Sequence, residues 1–200
     1  MRRPSGILLA GGASRRFGRP KIVEPVDGAP LFHSPLRALL GSCDDVVIVI
    51  APDAPEPPLP DGSDRVSFAR DQVAYEGPLA GTRIGLEGVR GEHAVLVAAD
   101  MPGVSARLLS LMADRAATGH RNAVVLSDAD GPRPLPAVLA VAPALAQAQA
   151  LLESGERRLR ALIEGLDAEG LTEAVWRQED PNGTWRRDVN LPGDLPKGTR

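Results

Sequence analysis

Five short apolar runs, separated by stretches with helical spacing, constrain the fold of this chain more than any other feature. The runs cover residues 6–10, 46–50, 94–99, 123–126 and 136–141. Continuous apolar runs rich in β-branched residues are typical of strands that are buried on both faces of a sheet. Such strands need helices packed on both sides, so the runs predict a layered α/β protein.

Helical patterns fill the intervals between these runs. Apolar residues recur at helical spacing over residues 31–40, after an N-cap at Ser105, and over residues 145–153 and 157–166. Prolines at five positions between residues 52 and 64 exclude regular structure there and predict an exposed loop. The alternation predicts a doubly wound α/β fold with a mostly parallel sheet. The length of 200 residues suits one domain, placed at 1–195, with a flexible tail at 196–200.

Composition excludes several classes of protein. The net charge of −3 disfavours a general nucleic-acid binder. The single cysteine, Cys43, excludes an internal disulfide framework and a cysteine-rich zinc site. No apolar run approaches the ~18 residues that a membrane span needs, and the run after the basic start is too short for a signal peptide. We therefore expect a cytoplasmic protein with neither nucleic acid nor membrane as a partner.

A glycine-rich segment follows the first predicted strand and carries several cations. It runs from Leu9 to Lys21 and contains Arg15 and Arg16. Glycine lets backbone amides approach a phosphate, and the cations suit a triphosphate. Neither a Walker A loop nor a dinucleotide-binding fingerprint is present, and a basic surface turn is the alternative interpretation. Among 23 basic residues only Lys21 and Lys197 are lysines, which singles out Lys21 for a task that needs a compact ammonium.

Asp100 is the candidate metal ligand. It directly follows the run at 94–99, so a parallel strand would deliver it to the carboxyl edge of the sheet, where α/β proteins bind their ligands. The glycine-rich segment leaves the same edge. One carboxylate together with phosphate oxygens and waters satisfies Mg²⁺. An aspartate at an N-cap or in a turn before Pro102 is the alternative.

Three further polar segments stand where ligands could bind. Asp71 follows a short strand-like run and precedes Gly-Pro-Leu-Ala-Gly at residues 77–81. A charged stretch, Gly-Glu-Arg-Arg, occupies residues 155–158, and Asp-Val-Asn occupies residues 188–190. Each segment also has a purely structural interpretation. Residues 71–81 fit a turn before a helix, residues 155–158 fit a solvated charge run, and residues 188–190 fit a turn before a proline.

Together the segments resemble the molybdenum cofactor guanylyltransferase family, often called MobA. Residues 9–21 match the family pattern Leu-Ala-Gly-Gly-x-Ser-x-Arg-x-Gly-x-x-Lys at every fixed position. The Gly-Pro-Leu-Ala-Gly motif, Asp-Met-Pro at 100–102, Pro-Leu-Pro-Ala-Val at 134–138 and the segments at 155–158 and 188–190 follow in the family order. The first motif alone marks the wider class of nucleoside triphosphate transferases, and the whole set is more specific.

The resemblance implies a fold, a reaction and a set of site residues. The fold is a single Rossmann-like, three-layer α/β domain. The reaction transfers GMP from Mg-GTP to the phosphate of molybdopterin, usually carrying molybdenum, and releases pyrophosphate. We expect catalytic roles for Lys21, Arg15 and Asp100, with Asp100 as the Mg²⁺ ligand; Arg15 stands at a variable position of the pattern, so its role rests on its charge in the glycine-rich segment. Nucleotide contacts are expected at Leu9, Ala10, Gly11, Gly12, Ser14, Arg15, Lys21, Asp71 and Asp100, and acceptor contacts at Gly81, Pro134, Arg157, Arg158 and Asn190. Transient contact with proteins of cofactor synthesis, or with acceptor proteins, also fits.

Departures from the family pattern leave alternatives open. Pro20 replaces the aspartate often found before the loop lysine, and Ala51 and Pro52 follow the second strand where the family often has asparagine. Asp188 stands where guanylyltransferases often have asparagine. A CTP-dependent enzyme acting on the same cofactor, or a nucleotidyltransferase for another small phosphorylated acceptor, therefore remains open. A regulatory nucleotide-binding protein is a different class, and an NAD-dependent oxidoreductase is disfavoured by the missing fingerprint.

Overall fold

The computed structural model describes residues 3–11, 21–26, 28–71, 77–189 and 194. The strands are β1 (Ser5–Leu9), β2 (Pro25–Val26), β3 (Ala29–Pro30), β4 (Val46–Ile50), β5 (Val66–Arg70), β6 (His93–Ala98), β7 (Ala123–Asp128), β8 (Gly131–Ala140) and β9 (Glu169–Leu171). The α-helices are α1 (His33–Ser42), α2 (Pro78–Gly88), α3 (Ala106–Gly119), α4 (Val141–Glu153), α5 (Leu159–Gly165) and α6 (Glu173–Trp176). Short 3-10 helices occupy Lys21–Val23 and Thr184–Arg186.

Seven of these strands form one sheet in the order β5-β4-β1-β6-β8-β7-β9. Six of them run in the same direction, and β8 is antiparallel to both of its neighbours. The exception arises because β8 follows β7 through a two-residue turn, and so short a connection can join only antiparallel strands. The prediction of a mostly parallel sheet is confirmed. β2 and β3 form a separate small hairpin.

Helices cover both faces of the sheet and create two apolar layers. Successive residues of β1 point to opposite faces, so Leu8 packs with residues of α1 and α3, and Ile7 packs with residues of α2, α4 and α5. A Cβ placed on Gly85 would lie 2.5 Å from the side chain of Ile7, so this glycine lets α2 lie close against β1. The predicted three-layer α/β architecture is confirmed. No helix within the described ranges is long and apolar enough to cross a membrane.

Several boundaries differ from those predicted. β8 begins at Gly131, five residues before the predicted run, because the prolines that separate its first residues hide the strand pattern. α4 begins at Val141 instead of residue 145, with Pro143 in its first turn. The N-cap at Ser105 is confirmed, since its hydroxyl accepts a hydrogen bond of 3.3 Å from the amide of Leu108. The predicted tail at 196–200 lies outside the described residues.

Candidate active site

The carboxyl edge of the parallel strands holds several of the described residues that the sequence singled out. Backbone pairing continues just past the strand ends, where the amide of Ala10 donates to Val49 at 2.8 Å and the amide of Ala99 donates to Leu9 at 2.9 Å. The amide of Asp71 likewise donates to Ile50 at 2.9 Å. These bonds fix where the chain leaves β1, β5 and β6, and so fix the start of each loop at this edge.

Lys21 and Asp100 meet at this edge. The Lys21 Nζ atom lies 2.7 Å from Asp100 Oδ2, with only 15% of the lysine and 24% of the aspartate side chain exposed. Lys21 Nζ also donates to the carbonyl oxygen of Val189 at 2.8 Å, and the Val189 amide donates to the Asp100 carbonyl at 3.0 Å. A partly buried ammonium is thus held at a defined position beside a carboxylate, close to where β1 and β6 end.

Asp188 supplies a second carboxylate beside Asp100. Although Asp188 is exposed to a neighbouring cleft, nearby protein atoms displace part of its hydration, which raises the pKa of Asp188 to about 6. The charge of Asp100 acts in the same direction, while Lys21 and Arg133 oppose it. Two carboxylates that repel each other are stabilised when a cation lies between them.

These carboxylates fit a magnesium ion that shares its coordination with a ligand. Mg²⁺ prefers hard oxygen donors and usually takes one or two protein carboxylates, with phosphate oxygens and waters completing the shell. Among the described residues no group of three or more His, Cys, Asp or Glu side chains is placed to hold a metal by itself. The donor set therefore suits a metal that arrives with phosphates better than a metal held by the protein alone.

Asp71 lies at the far side of the same edge. It follows β5, the outermost strand, and two strand spacings of about 4.8 Å separate β5 from β1. Asp71 is therefore roughly 10 Å across the sheet from the end of β1. A ligand with its phosphates over the end of β1 would therefore have another part of its body, and not the phosphates, near Asp71.

The motif at 77–81 meets the segment at 155–158. Gly77 has a φ of 99°, and a Cβ there would lie 3.1 Å from the carbonyl oxygen of Arg157, so only glycine fits comfortably at the start of α2. Gly81 is buried against the side chains of Leu9 and Val49. Gly81 therefore has a packing role, whatever contact its backbone makes with a ligand.

Arg157 and Arg158 are exposed and bonded to their own segment. The Arg157 guanidinium donates to the carbonyl oxygens of Leu152 at 3.0 Å and Glu156 at 2.8 Å. Arg158 forms an ion pair of 2.6 Å with Glu156. Hydrogen bonds from Arg158 and from the backbone lower the pKa of Glu156 to about 2. Both arginines have further guanidinium donors for an anionic ligand.

Arg133 was not singled out in the sequence. It lies beside the predicted Pro134, and its Nε donates to the buried carboxylate of Asp128 at 2.8 Å while its Nη2 donates to Asp130 at 2.7 Å. The hydrogen bond from Arg133 holds the pKa of Asp128 below its usual value. No sequence motif marks this arginine, whose position depends on the β7–β8 turn.

A cleft of about 560 Å³ lies on the α1 side of the loop after Asp100 and is lined in part by Asp188 and Val189. Its walls come from the β2–β3 hairpin, α1, the loop after Asp100 and the segment at 186–189, and its cations are Arg37, Arg186 and Arg187. Five predicted or candidate residues of the glycine-rich and C-terminal segments, Gly12, Ser14, Arg15, Arg16 and Asn190, lie outside the described residues. The roles assigned to the site residues therefore stay predictions.

The fold and this edge define a class, the α/β domains in which ligands bind at the carboxyl ends of parallel strands. The model of the "MobA-like NTP transferase domain" family matches residues 6–171. The chain belongs to this family and is a nucleotidyltransferase, as the six segments predicted.

Relatives agree with that assignment, and solved structures share the fold. A probable molybdenum cofactor guanylyltransferase from Chloroflexus aggregans is 31% identical over 196 residues, which cover 96% of this chain and 91% of the relative. A molybdopterin-guanine dinucleotide biosynthesis protein A from Archaeoglobus fulgidus is similar in fold, with a TM-score of 0.75, 22% identity and coverage of 96% and 94%. A 2-C-methyl-D-erythritol 4-phosphate cytidylyltransferase from Thermus thermophilus has a TM-score of 0.67, 16% identity and 94% coverage of both chains.

Proposed function

We propose that this protein transfers GMP from Mg-GTP to the terminal phosphate of molybdopterin, with or without bound molybdenum. The observation that carries the proposal is the Lys21–Asp100 pair at the edge where the glycine-rich segment begins. The relative from Chloroflexus aggregans, named a probable molybdenum cofactor guanylyltransferase and similar over nearly the whole chain, supports the choice of donor and acceptor.

The reaction needs little covalent chemistry from the protein. An oxygen of the acceptor phosphate forms a bond to the α-phosphorus of GTP, the bond from that phosphorus to the bridging oxygen breaks, and pyrophosphate leaves with the electron pair. The attacking phosphate is already anionic near neutral pH, so no strong general base is required. Positioning and charge neutralisation then account for most of the rate enhancement.

Lys21 and Asp100 would neutralise the phosphate charge in different ways. The Lys21 ammonium would contact the α- and β-phosphates, where negative charge grows as pyrophosphate departs. Asp100 would hold Mg²⁺ with Asp188 as a second contact, and Mg²⁺ when bound neutralises phosphate charge and aligns the leaving group. Arg15 would assist at the outer phosphates.

The base and the acceptor would occupy different parts of the sheet edge. Backbone groups of residues 9–12 and the carboxylate of Asp71 would read guanine, since a carboxylate accepts hydrogen bonds from both N1–H and N2–H of that base. The acceptor would lie across the half built from later sequence, near Gly81, Pro134, Arg157, Arg158 and Asn190. Cations and hydrogen-bond donors suit a phosphorylated pterin.

Transfer of CMP from CTP to the same acceptor is the second candidate. It is favoured by Ala51 and Pro52, which follow β4 where the family pattern leads one to expect asparagine. Turnover with each of the four NTPs and molybdopterin, followed by pyrophosphate release, separates the two. GTP should support the fastest release, whereas preferred use of CTP would reject the guanylyltransferase and no release with any NTP would reject nucleotidyl transfer.

A cytoplasmic location and transient contacts with proteins of cofactor synthesis also stay predictions.

A further inference from the structure

The loop that carries Asp100 lies in backbone contact with the segment at 184–189, which we call the strap. A Cβ placed on Gly103 would lie 2.0 Å from the carbonyl oxygen of Thr184, so any larger residue would force the two backbones apart. The Thr184 hydroxyl lies 2.9 Å from the carbonyl oxygen of Gly103 and 3.0 Å from Asp180 Oδ1, and it donates to one of them at a time. The strap is therefore in direct contact with the loop three residues after Asp100.

The start of the strap is firmly anchored. Asp180 is buried, and its Oδ2 accepts a hydrogen bond of 2.9 Å from the amide of Trp185. The ring of Trp185 is buried edge-to-face against Trp176, with 5.7 Å between the ring centroids, and the Arg186 guanidinium covers both rings. An anchored support can transmit a fixed position to the loop it touches.

The end of the strap reaches the catalytic pair itself. The Val189 amide donates to the Asp100 carbonyl at 3.0 Å, and the Val189 carbonyl accepts from Lys21 Nζ at 2.8 Å. The strap thus binds the Asp100 loop at both ends and gives the lysine a second oxygen partner. It also begins thirteen residues beyond residue 171, where the match to the family domain ends.

We propose that the strap positions Asp100 and Lys21 for catalysis and that Thr184 is a positioning residue acting through Gly103. The inference rests on the proposed function in one respect, the assignment of Asp100 and Lys21 to the triphosphate and its metal. Displacement of a catalytic group by about 1 Å can lower turnover by 10²-fold, so loss of one support should slow the reaction without preventing GTP from binding.

The test replaces Thr184 by Val, which keeps the shape and removes the hydroxyl. We expect kcat to fall about tenfold, the KM for GTP to stay within about twofold, and the Mg²⁺ concentration for half-maximal activity to rise. Thr184→Ser keeps the hydroxyl and should restore all three values. The control is Ser5→Ala, which removes a comparable hydroxyl at the opposite edge of the sheet. The Ser5 hydroxyl donates to Asp45 Oδ1 at 2.7 Å and accepts from the amide of Gly91 at 3.1 Å.

The chain's two tryptophans give a readout that does not depend on turnover. Acrylamide quenching of Trp185 and Trp176 should increase in Thr184→Val if the strap loosens. Increased quenching with unchanged kcat and unchanged Mg²⁺ dependence would overturn the proposal, as would a Ser5→Ala variant that lost activity in the same way. Should Thr184→Val fail to fold, Thr184→Ala is the second variant, because it removes the hydroxyl and adds no atoms, and the same changes in kcat and Mg²⁺ dependence are expected.

Failure of the proposed function would be distinguishable from failure of the strap. A wild-type protein that released no pyrophosphate from any NTP would reject the function. The strap would then be judged by the Mg²⁺ dependence of GTP binding in calorimetry, where equal dependence in wild type and Thr184→Val would overturn it.

Discussion

The ammonium of Lys21 lies 2.7 Å from a carboxylate oxygen of Asp100, a residue 79 positions later in the chain. Each group is partly withdrawn from water, so each depends on the other for charge compensation. Removing one partner therefore has two effects, the loss of its proposed contact with the substrate and the release of the other partner from its position. Variants of this pair must be assayed for folding as well as for activity.

Replacement of Lys21 by Ala should lower kcat by about 10²–10³-fold, because one preorganised donor to the developing phosphate charge is lost. Steady-state kinetics and a thermal melt check the result together. Lys197→Ala is the matched control, since it removes the only other lysine and should leave kcat unchanged. Wild-type kinetics in a folded Lys21→Ala protein would reject the role given to this lysine.

Replacement of Asp100 by Asn keeps the shape of the side chain and removes its charge. We expect turnover to be nearly abolished while GTP still binds, because an amide is a poor ligand for a hard dication. Calorimetry of GTP binding and pyrophosphate release at several Mg²⁺ concentrations test this. Asp114→Asn, at an exposed position of α3, should behave as wild type. Near-normal activity of Asp100→Asn at ordinary Mg²⁺ would place the metal elsewhere.

Replacement of Asp71 by Asn should weaken the preference for GTP over CTP. The variant loses the second acceptor oxygen that pairs with the N1–H and N2–H edge of guanine. The ratio of kcat/KM for the two nucleotides is the measurement, and Asp53→Asn in the exposed loop after β4 is the control. An unchanged ratio would mean that Asp71 does not read the base.

Replacement of Arg157 and Arg158 together by Ala should weaken acceptor binding and leave GTP affinity near that of wild type. The reason is the loss of two guanidinium groups that suit a phosphate. The KM for molybdopterin and the Kd for GTP are compared, with Arg160→Ala on the exposed side of α5 as the control. Equal loss of both affinities would make the pair structural. Unchanged values would direct attention to Arg186 and Arg187 in the neighbouring cleft.

Cys43 should resist thiol reagents in the native protein. It is fully buried, and burial raises the pKa of its thiol to about 12. At pH 8 only about one thiol in ten thousand would then be ionised, and the thiolate is the reactive form. A chromogenic disulfide reagent should react only after denaturant is added. Rapid stoichiometric reaction in native buffer would contradict the buried position.

The parts of the site that could be predicted are those fixed by strand ends. Asp100 follows an apolar run that forms β6, and Lys21 belongs to a segment that begins where β1 ends, so the sequence alone assigns both residues to one edge. Parallel strands have their carboxyl ends on the same side, which makes this inference independent of the details of the loops.

The remaining parts depend on contacts that leave no pattern in the sequence. The partner of Lys21 at Val189 is a backbone oxygen, which any residue type supplies. Arg133 reaches its place through the β7–β8 turn, and the prolines of residues 132–136 hide the strand that carries it. The contact between Gly103 and Thr184 joins two loops that are far apart in the chain, so no periodicity could reveal it.

The position of β1 in the sheet leaves one of its edges unpaired in the nascent chain. This first strand pairs with β4 on one side and with β6 on the other, so its second edge stays unpaired until residue 98 has been made. At about 5–20 residues per second, the stretch from Leu9 to Ala98 takes roughly 5–18 s to synthesise. For that interval the emerging polypeptide presents an apolar strand with open backbone groups, which is the kind of segment that holdase chaperones capture.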